Sequence, residues 1–214
     1  MSDFWQTMSE SGTLPYMPRP PSRPAAPPAT PTTERTRRAI VAAAMETWAA
    51  DRNATLADIC RAGGIARSTL HRYFADRTAL LAAVDQECHR QFTAAAVRAH
   101  PDDGPGLEAV IRLCQELLAL GPPLGLVFSD NALVDPDSWT DAEISEQGLT
   151  AVIRRGQQDG TIDPAQPADW IAVVIWMMLA GAWHYGLAGG SRREQIAAFT
   201  RSLTGAIGTP GPTL

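Results

Sequence analysis

The chain has 214 residues, 45% of them hydrophobic, which is enough apolar material to bury the core of one domain or of two small ones. Its three cysteines, Cys60, Cys88 and Cys114, are odd in number and widely spaced, a pattern that fits neither a disulfide framework nor a metal site. The net charge of −5 hides an asymmetry: residues 33–77 hold eight arginines against five acids, whereas residues 78–214 hold eight against sixteen. A basic head on an acidic body suits a protein of which only the head meets phosphate.

Residues 1–32 carry eight prolines between Pro15 and Pro31, with small polar residues around them. Such a segment lacks the apolar surface to fold and is expected to be a semi-extended, disordered tail. Arg19 and Arg23 within it are placed to touch a phosphate or a minor groove. No basic stretch followed by an apolar run opens the chain, so a cytoplasmic location is expected. From Thr33 to about Asp51 the spacing of Ile40, Ala43, Ala44 and Trp48 predicts an amphipathic helix, with Arg35, Arg37 and Arg38 at its start.

The stretch Thr55 to Arg77 reads as two short helices joined by a tight turn. Thr55 can cap the free amides of a helix start, and Asp58 three residues on completes a capping box. Leu56, Ile59 and Cys60 share one face of that helix, and Gly63 and Gly64 end it. A second helix follows from about Arg67 to Phe74, too short to stand alone and held by Leu70 and Phe74 at i and i+4. Its other face crowds Arg67, Ser68, Thr69, His71, Arg72 and Tyr73 into seven positions. Arginine can bond two acceptors on guanine, while hydroxyls and rings suit phosphates and thymine methyls, so this face fits a DNA major groove.

At these residues the chain resembles the N-terminal DNA-binding domain of the TetR family of transcriptional repressors. The resemblance is carried by the capped helix at Thr55, by Leu56-Ala57-Asp58-Ile59, by Ala62-Gly63-Gly64-Ile65 and by Ser68-Thr69-Leu70. It continues through Tyr73-Phe74 and Asp76-Arg77-Thr78-Ala79-Leu80-Leu81, covering roughly residues 33–85. The chain departs from the family pattern at Ala66, where a serine-like cap is common, at His71 and Tyr73, where tyrosine and histidine are usual, and at Arg77, where lysine is. The DNA-binding candidates are therefore Thr55, Arg67, Ser68, Thr69, His71, Arg72, Tyr73 and Arg77.

Beyond the head the chain reads as helices throughout. Asp76 caps one that carries Leu80, Leu81, Val84 and Cys88 to about Ala99, long enough to link head and body. After the loop His100 to Gly106, residues 107–120 form an amphipathic helix with Val110, Leu113, Cys114 and Leu117 inward. The run Gly121-Pro-Pro-Leu-Gly125 is expected to break the chain before a short apolar segment at Leu126 to Phe128. Asp135-Pro-Asp-Ser reads as a turn and 142–158 as a helix. Asp159 to Pro164 reads as a turn ahead of two last helices, Ala168 to Leu187 and Ser191 to about Ile207.

Between Trp170 and Gly190 the only ionisable acid or base is His184, so a membrane span has to be weighed. Interior His184, Tyr185 and two glycines, and the lack of a basic cluster immediately before the segment, argue for a dimer helix instead. Trp170, Met177 and His184 fall on one face, Trp176 and Trp183 on another, and spacing does not decide which meets the twin. The resemblance implies a four-helix bundle across a two-fold axis from the last two helices, and an effector pocket among the central helices. Cys114, Leu117, Phe128, Trp139, Met177, Trp183 and His184 are the ligand-binding candidates, each equally readable as plain core or dimer packing.

These readings converge on an all-α chain. The expected divisions are a tail at 1–32, a helix-turn-helix head at 33–78, an effector-binding and dimerisation body at 79–207 and a flexible end at 208–214. The function expected is a homodimeric repressor released from a palindromic double-stranded DNA operator by a small apolar or aromatic effector. No Gly-rich phosphate loop, nucleophile elbow or metal-spaced cluster is present, so no catalysis, cofactor, metal or membrane is expected. The competing class, a helical adaptor that binds only protein, leaves the donor-rich Arg67–Tyr73 face unexplained.

Overall fold

Thr55 and Asp58 exchange hydrogen bonds as the capping pattern requires: the Asp58 amide donates to Thr55 Oγ1 at 3.3 Å and the Thr55 amide to Asp58 Oδ2 at 2.9 Å. From that cap the head is built. The computed structural model describes residues 31–128, 133–135, 139 and 146–209. These residues form nine α-helices: α1 (Pro31–Ala50), α2 (Leu56–Ala62), α3 (Arg67–Tyr73), α4 (Arg77–Ala99), α5 (Gly106–Ala119), α6 (Pro122–Val127), α7 (Glu146–Gln158), α8 (Ala168–Leu187) and α9 (Arg192–Ile207). No strand occurs among them; one isolated bridge joins Ile162 to Gly208. The all-α expectation holds.

Two apolar cores organise the helices. In the head, Ile40, Ala44 and Trp48 of α1, Ile59 of α2, Leu70 of α3 and Leu80 and Val84 of α4 are buried together. In the body, α5 is the hub, packing on α4, α7, α8 and α9 around Cys114, Leu117, Ile153, Ile175 and Leu203. Helix α4 belongs to both, with Cys88 in the head core and Phe92, one turn later, in the body core. Its start is capped by Asp76, which accepts from the Ala79 amide at 2.8 Å. Its end is held by Arg112, whose guanidinium donates to the Ala99 and His100 carbonyls at 3.1 and 3.0 Å.

One expectation fails at α6. Pro122, Pro123, Leu124 and Gly125 do not break the chain; they form the first turns of a helix. Proline has no N–H, but the first turn of a helix needs none, so two prolines start α6 instead of ending its predecessor. The consequence is architectural. Helix α6 packs on α1 of the head and on α8 of the body, with Leu124 in the body core and Leu126 in both. Helix α1 also starts at Pro31, two residues into the segment expected to be tail; residues 1–30, with Arg19 and Arg23, lie outside the described residues.

At the other end, residues 208 and 209 are tied to the turn before α8: the Thr209 hydroxyl donates to the Gly160 carbonyl at 2.6 Å and its amide to that of Thr161 at 3.3 Å. The rest of that tail lies outside the described residues, as do 136–138 of the Asp135 turn and 142–145 of the helix expected from residue 142.

Candidate nucleic-acid interface and body interior

The turn between α2 and α3 aims the second helix. Gly64 adopts φ +61°, a left-handed backbone that only glycine takes without strain, and the Ile65 amide then closes back on the Cys60 carbonyl at 2.8 Å. Leu70 and Phe74 are buried beneath α3, which leaves Arg67, Ser68, His71 and Arg72 exposed and Thr69 and Tyr73 half-buried at the edge of the same face. Ala66 offers no side-chain cap to this helix. The Arg72 guanidinium lies 5.3 Å from the centre of the Tyr73 ring.

The charges there are free. Arg38 pairs with Glu34 at 3.5 Å and Arg61 with Asp58 at 2.8 Å, but Arg67 and Arg72 have no ion-pair partner among the described residues. No acid stands on α3. Thr55 is engaged otherwise: its hydroxyl donates to Asp58 Oδ2 at 2.6 Å, and that bond, with the Thr55 amide and Arg61, holds the Asp58 carboxyl down at about 2. Arg77 is engaged as well. Its Nη1 donates to the Ala54 carbonyl at 2.7 Å and its Nη2 to that of Arg52 at 3.3 Å, with the Trp48 ring centre 4.7 Å from the guanidinium carbon. Six of the eight DNA-binding candidates thus share one open or edge-lying face, while Thr55 and Arg77 are tied into the fold beside it.

In the body the candidates divide. Cys114 and Leu117 are buried on α5, and burial pushes the Cys114 thiol up to about 12. Phe128 meets Trp176 edge-on at 6.0 Å. Trp183 lies so close to α6 that a Cβ on Gly125 would stand 2.4 Å from its Cζ2. Trp139 stacks on His89 at 5.2 Å, leans on Phe92 and donates its Nε1 hydrogen to Asp85 Oδ1 at 3.3 Å. Met177 and His184 stand apart from these, exposed with Trp170 and Val173 along the outer face of α8. The inner face of that helix is the one with Trp176 and Trp183. Ile171, Ala172, Ile175 and Leu179 are buried on the inward side.

Asp85, His89, Phe92 and Gly125 were not among the candidates. The i, i+4 spacing of Asp85 and His89 puts them on one face of α4, a signal that was readable, but their partner Trp139 comes from a segment about fifty residues further on. Among the described residues no three His, Cys, Asp or Glu side chains gather closely enough to hold a metal ion.

The family model described as bacterial regulatory proteins, tetR family, matches residues 40–84. Over 172 residues the chain is 36% identical to the HTH-type transcriptional repressor LfrR of Mycolicibacterium smegmatis, covering 80% of this chain and 89% of that protein. The crystal structure of the TetR-like regulator LfrR from Mycobacterium smegmatis in complex with proflavine aligns with a TM-score of 0.62 at 32% identity, over 81% of this chain and 96% of that one. A second LfrR structure gives 0.64 at 34% identity over the same shares. CprB from S. coelicolor aligns at 0.66 over 84% of this chain and 90% of its own, but at 19% identity, a likeness of fold alone.

Proposed function

The chain belongs to the TetR family of bacterial regulatory proteins, and from that premise we propose that it acts as a homodimeric repressor released from a near-palindromic operator by a small aromatic or apolar effector. That it is a DNA-binding transcriptional regulator follows from the family; the residues, the partner and the signal are our reading. The observation that carries it is the face of α3, where Arg67 and Arg72 stand exposed and unpaired beside Ser68 and His71. Two such helices in a dimer would enter successive major grooves about 34 Å apart. Arg67 and Arg72 would read base edges or phosphates, and Ser68, Thr69, His71 and Tyr73 would complete the contact. An adaptor reading gives this face no use.

The partner copy would cover α8 and α9. Helix α8 is long and apolar enough to cross a membrane by composition. Its inward side, however, is packed into the body core, and its exposed Trp170, Val173 and Met177 form the single stripe that a twin helix would bury. A cytoplasmic protein is the reading consistent with a DNA target. No catalysis is proposed.

The effector would sit among Cys114, Leu117, Phe128, Trp176 and Trp183, with Trp139 toward the head. Support for an aromatic class comes from these rings and from the relative solved with proflavine. Release requires that the effector bind two conformers of the body differently. Trp183 rests on Gly125 of α6, and Leu126 of the same helix lies in the head core, so a body that rearranges around Trp183 moves the head through α6. Trp139, bonded to Asp85 of α4, gives a second route.

A gel-shift of the purified protein on DNA from around its own gene, at two salt concentrations, tests the reading beside an Arg67→Ala/Arg72→Ala double variant. Specific retardation that weakens with salt and disappears in the variant is expected. Equal binding to any DNA, or none across a pool of genomic fragments, would overturn it.

A further inference from the structure

Arg77 opens α4 directly after the Asp76 cap, beside the proposed DNA face and at a position where a cation is easily read as a phosphate contact. Its bonds run the other way. Nη1 reaches the Ala54 carbonyl at 2.7 Å, Nη2 the Arg52 carbonyl at 3.3 Å, and the plane of the group lies over the Trp48 ring with 4.7 Å from guanidinium carbon to ring centre. Trp48 is 1% exposed, and its own Nε1 donates to the same Ala54 carbonyl at 3.0 Å. One carbonyl therefore gathers α1, through Trp48, and α4, through Arg77.

The residue after Ala54 is Thr55, the cap of α2, and α3 follows α2 through the Ile65–Cys60 closure. Fixing the Ala54 peptide thus fixes where α2 begins, and with it the direction in which α3 presents its arginines. We propose that Arg77 is a positioning residue for operator binding, clamping the α1–α2 turn onto the first turn of α4, and that it does not bind phosphate. It makes α4 and the two short helices one rigid piece, so that movement of α4 reaches α3 undiminished. The planar fork is essential to this use. An ammonium has its donors in a tetrahedral cluster; it cannot bond two backbone carbonyls while lying flat on an indole. Lysine keeps the charge and loses the clamp.

The inference rests on the reading of the chain as an operator-binding regulator, and two measurements separate their failures. The first is operator affinity across a salt series for the wild type, Arg77→Lys and Arg77→Met. A clamp predicts that Arg77→Lys binds about tenfold or more weakly, as loss of a charge-assisted hydrogen bond would cause, with a plot of log affinity against log salt parallel to the wild type. A phosphate contact predicts the opposite: Arg77→Lys binds like the wild type, and Arg77→Met loses about 0.9 from the slope for each head. That outcome overturns the proposal. Should Arg77→Met not fold, Arg77→Lys decides alone.

The second measurement needs no DNA. Amide hydrogen exchange of the free protein at residues 54–58 should quicken in Arg77→Lys while the body core is unchanged; equal rates would overturn the clamp even where DNA binding is intact. A wild type that binds no operator defeats the regulator reading, and exchange still judges Arg77.

Discussion

Helices α3 and α8 each leave a bare face in the single chain, and the two faces are opposite in chemistry. On α3 the exposed groups are two unpaired arginines, a serine and a histidine. On α8 they are Trp170, Val173 and Met177, 56%, 46% and 62% exposed. Water solvates the first face well, so α3 can stand empty until DNA arrives. The second face keeps apolar surface in water at a cost of about 25 cal/mol for each Å². A monomer that displays such a stripe has an incentive to bury it at all times. The difference teaches which partner is permanent: on the proposed reading the twin subunit stays while the operator comes and goes.

The largest effect should come from charging the α8 face. Val173→Arg with Met177→Glu is expected to convert a dimer into a monomer in sedimentation at micromolar concentration. Operator affinity should fall with it by about 10² to 10⁴, because the second head no longer binds as a linked partner. The Arg67→Ala/Arg72→Ala variant should do the reverse, losing the operator while sedimenting as a dimer. A wild type that sediments as a monomer, with or without DNA, would break the comparison at its root.

Two glycines sharpen the contrast between the sides of α8. Gly125 of α6 lies under Trp183, where an added Cβ would come within 2.4 Å of the ring. Gly125→Ala should therefore cost about 1–3 kcal/mol in denaturant melts, the usual penalty of overpacking, and should alter the near-ultraviolet dichroism of the tryptophans. Gly181, on the outer face, has nothing within 4 Å of the same position. In an isolated chain Gly181→Ala should stabilise the helix by about 0.5–1 kcal/mol. If the twin helix crosses close at Gly181, the same substitution weakens the dimer. A dimer that tightens, or ignores the change, places the crossing elsewhere on the stripe.

The same two regions mark where the sequence is readable. The α2–α3 unit is legible because each of its signals is local: a cap with its partner three residues on, a glycine at the turn, apolar residues at i and i+4. The role of α8 in the body is legible, but its orientation is not. A helix apolar on every side carries no periodic signal, and only the packing separates Trp183 inside from Met177 outside. Helix α6 was hidden by its prolines, which serve equally to stop a helix and to start one. Arg77 was hidden by its setting, since nothing in a one-letter string distinguishes an arginine facing phosphate from one bonded to carbonyls 23 and 25 residues upstream.

The smallest effect concerns what aims α3, and acid reaches it selectively. Thr55 and Asp58 fix the start of α2, and Thr55→Ala should cost about 1 kcal/mol, as loss of a threonine cap does. Asp58 adds a pH signature. Its carboxyl is lowered from 3.8 to about 2, first by the Thr55 hydroxyl and then by the Thr55 amide and Arg61. A lowered acid contributes its full share above its ordinary value and loses it as pH falls through the folded one. Amide exchange at the first turn of α2 should therefore differ between the wild type and Asp58→Asn from neutrality down to about pH 4, and the difference should vanish near pH 2. The readout has to be residue-specific, because α9 opens on a matching box in which the Ser191 hydroxyl lowers Glu194, and acid loosens that one too. Global melting would mix the two helix starts. A difference at α2 that persists unchanged below pH 2 would mean that Asp58 acts by shape alone, and that the charge on the cap does not help to hold the DNA-facing helix in place.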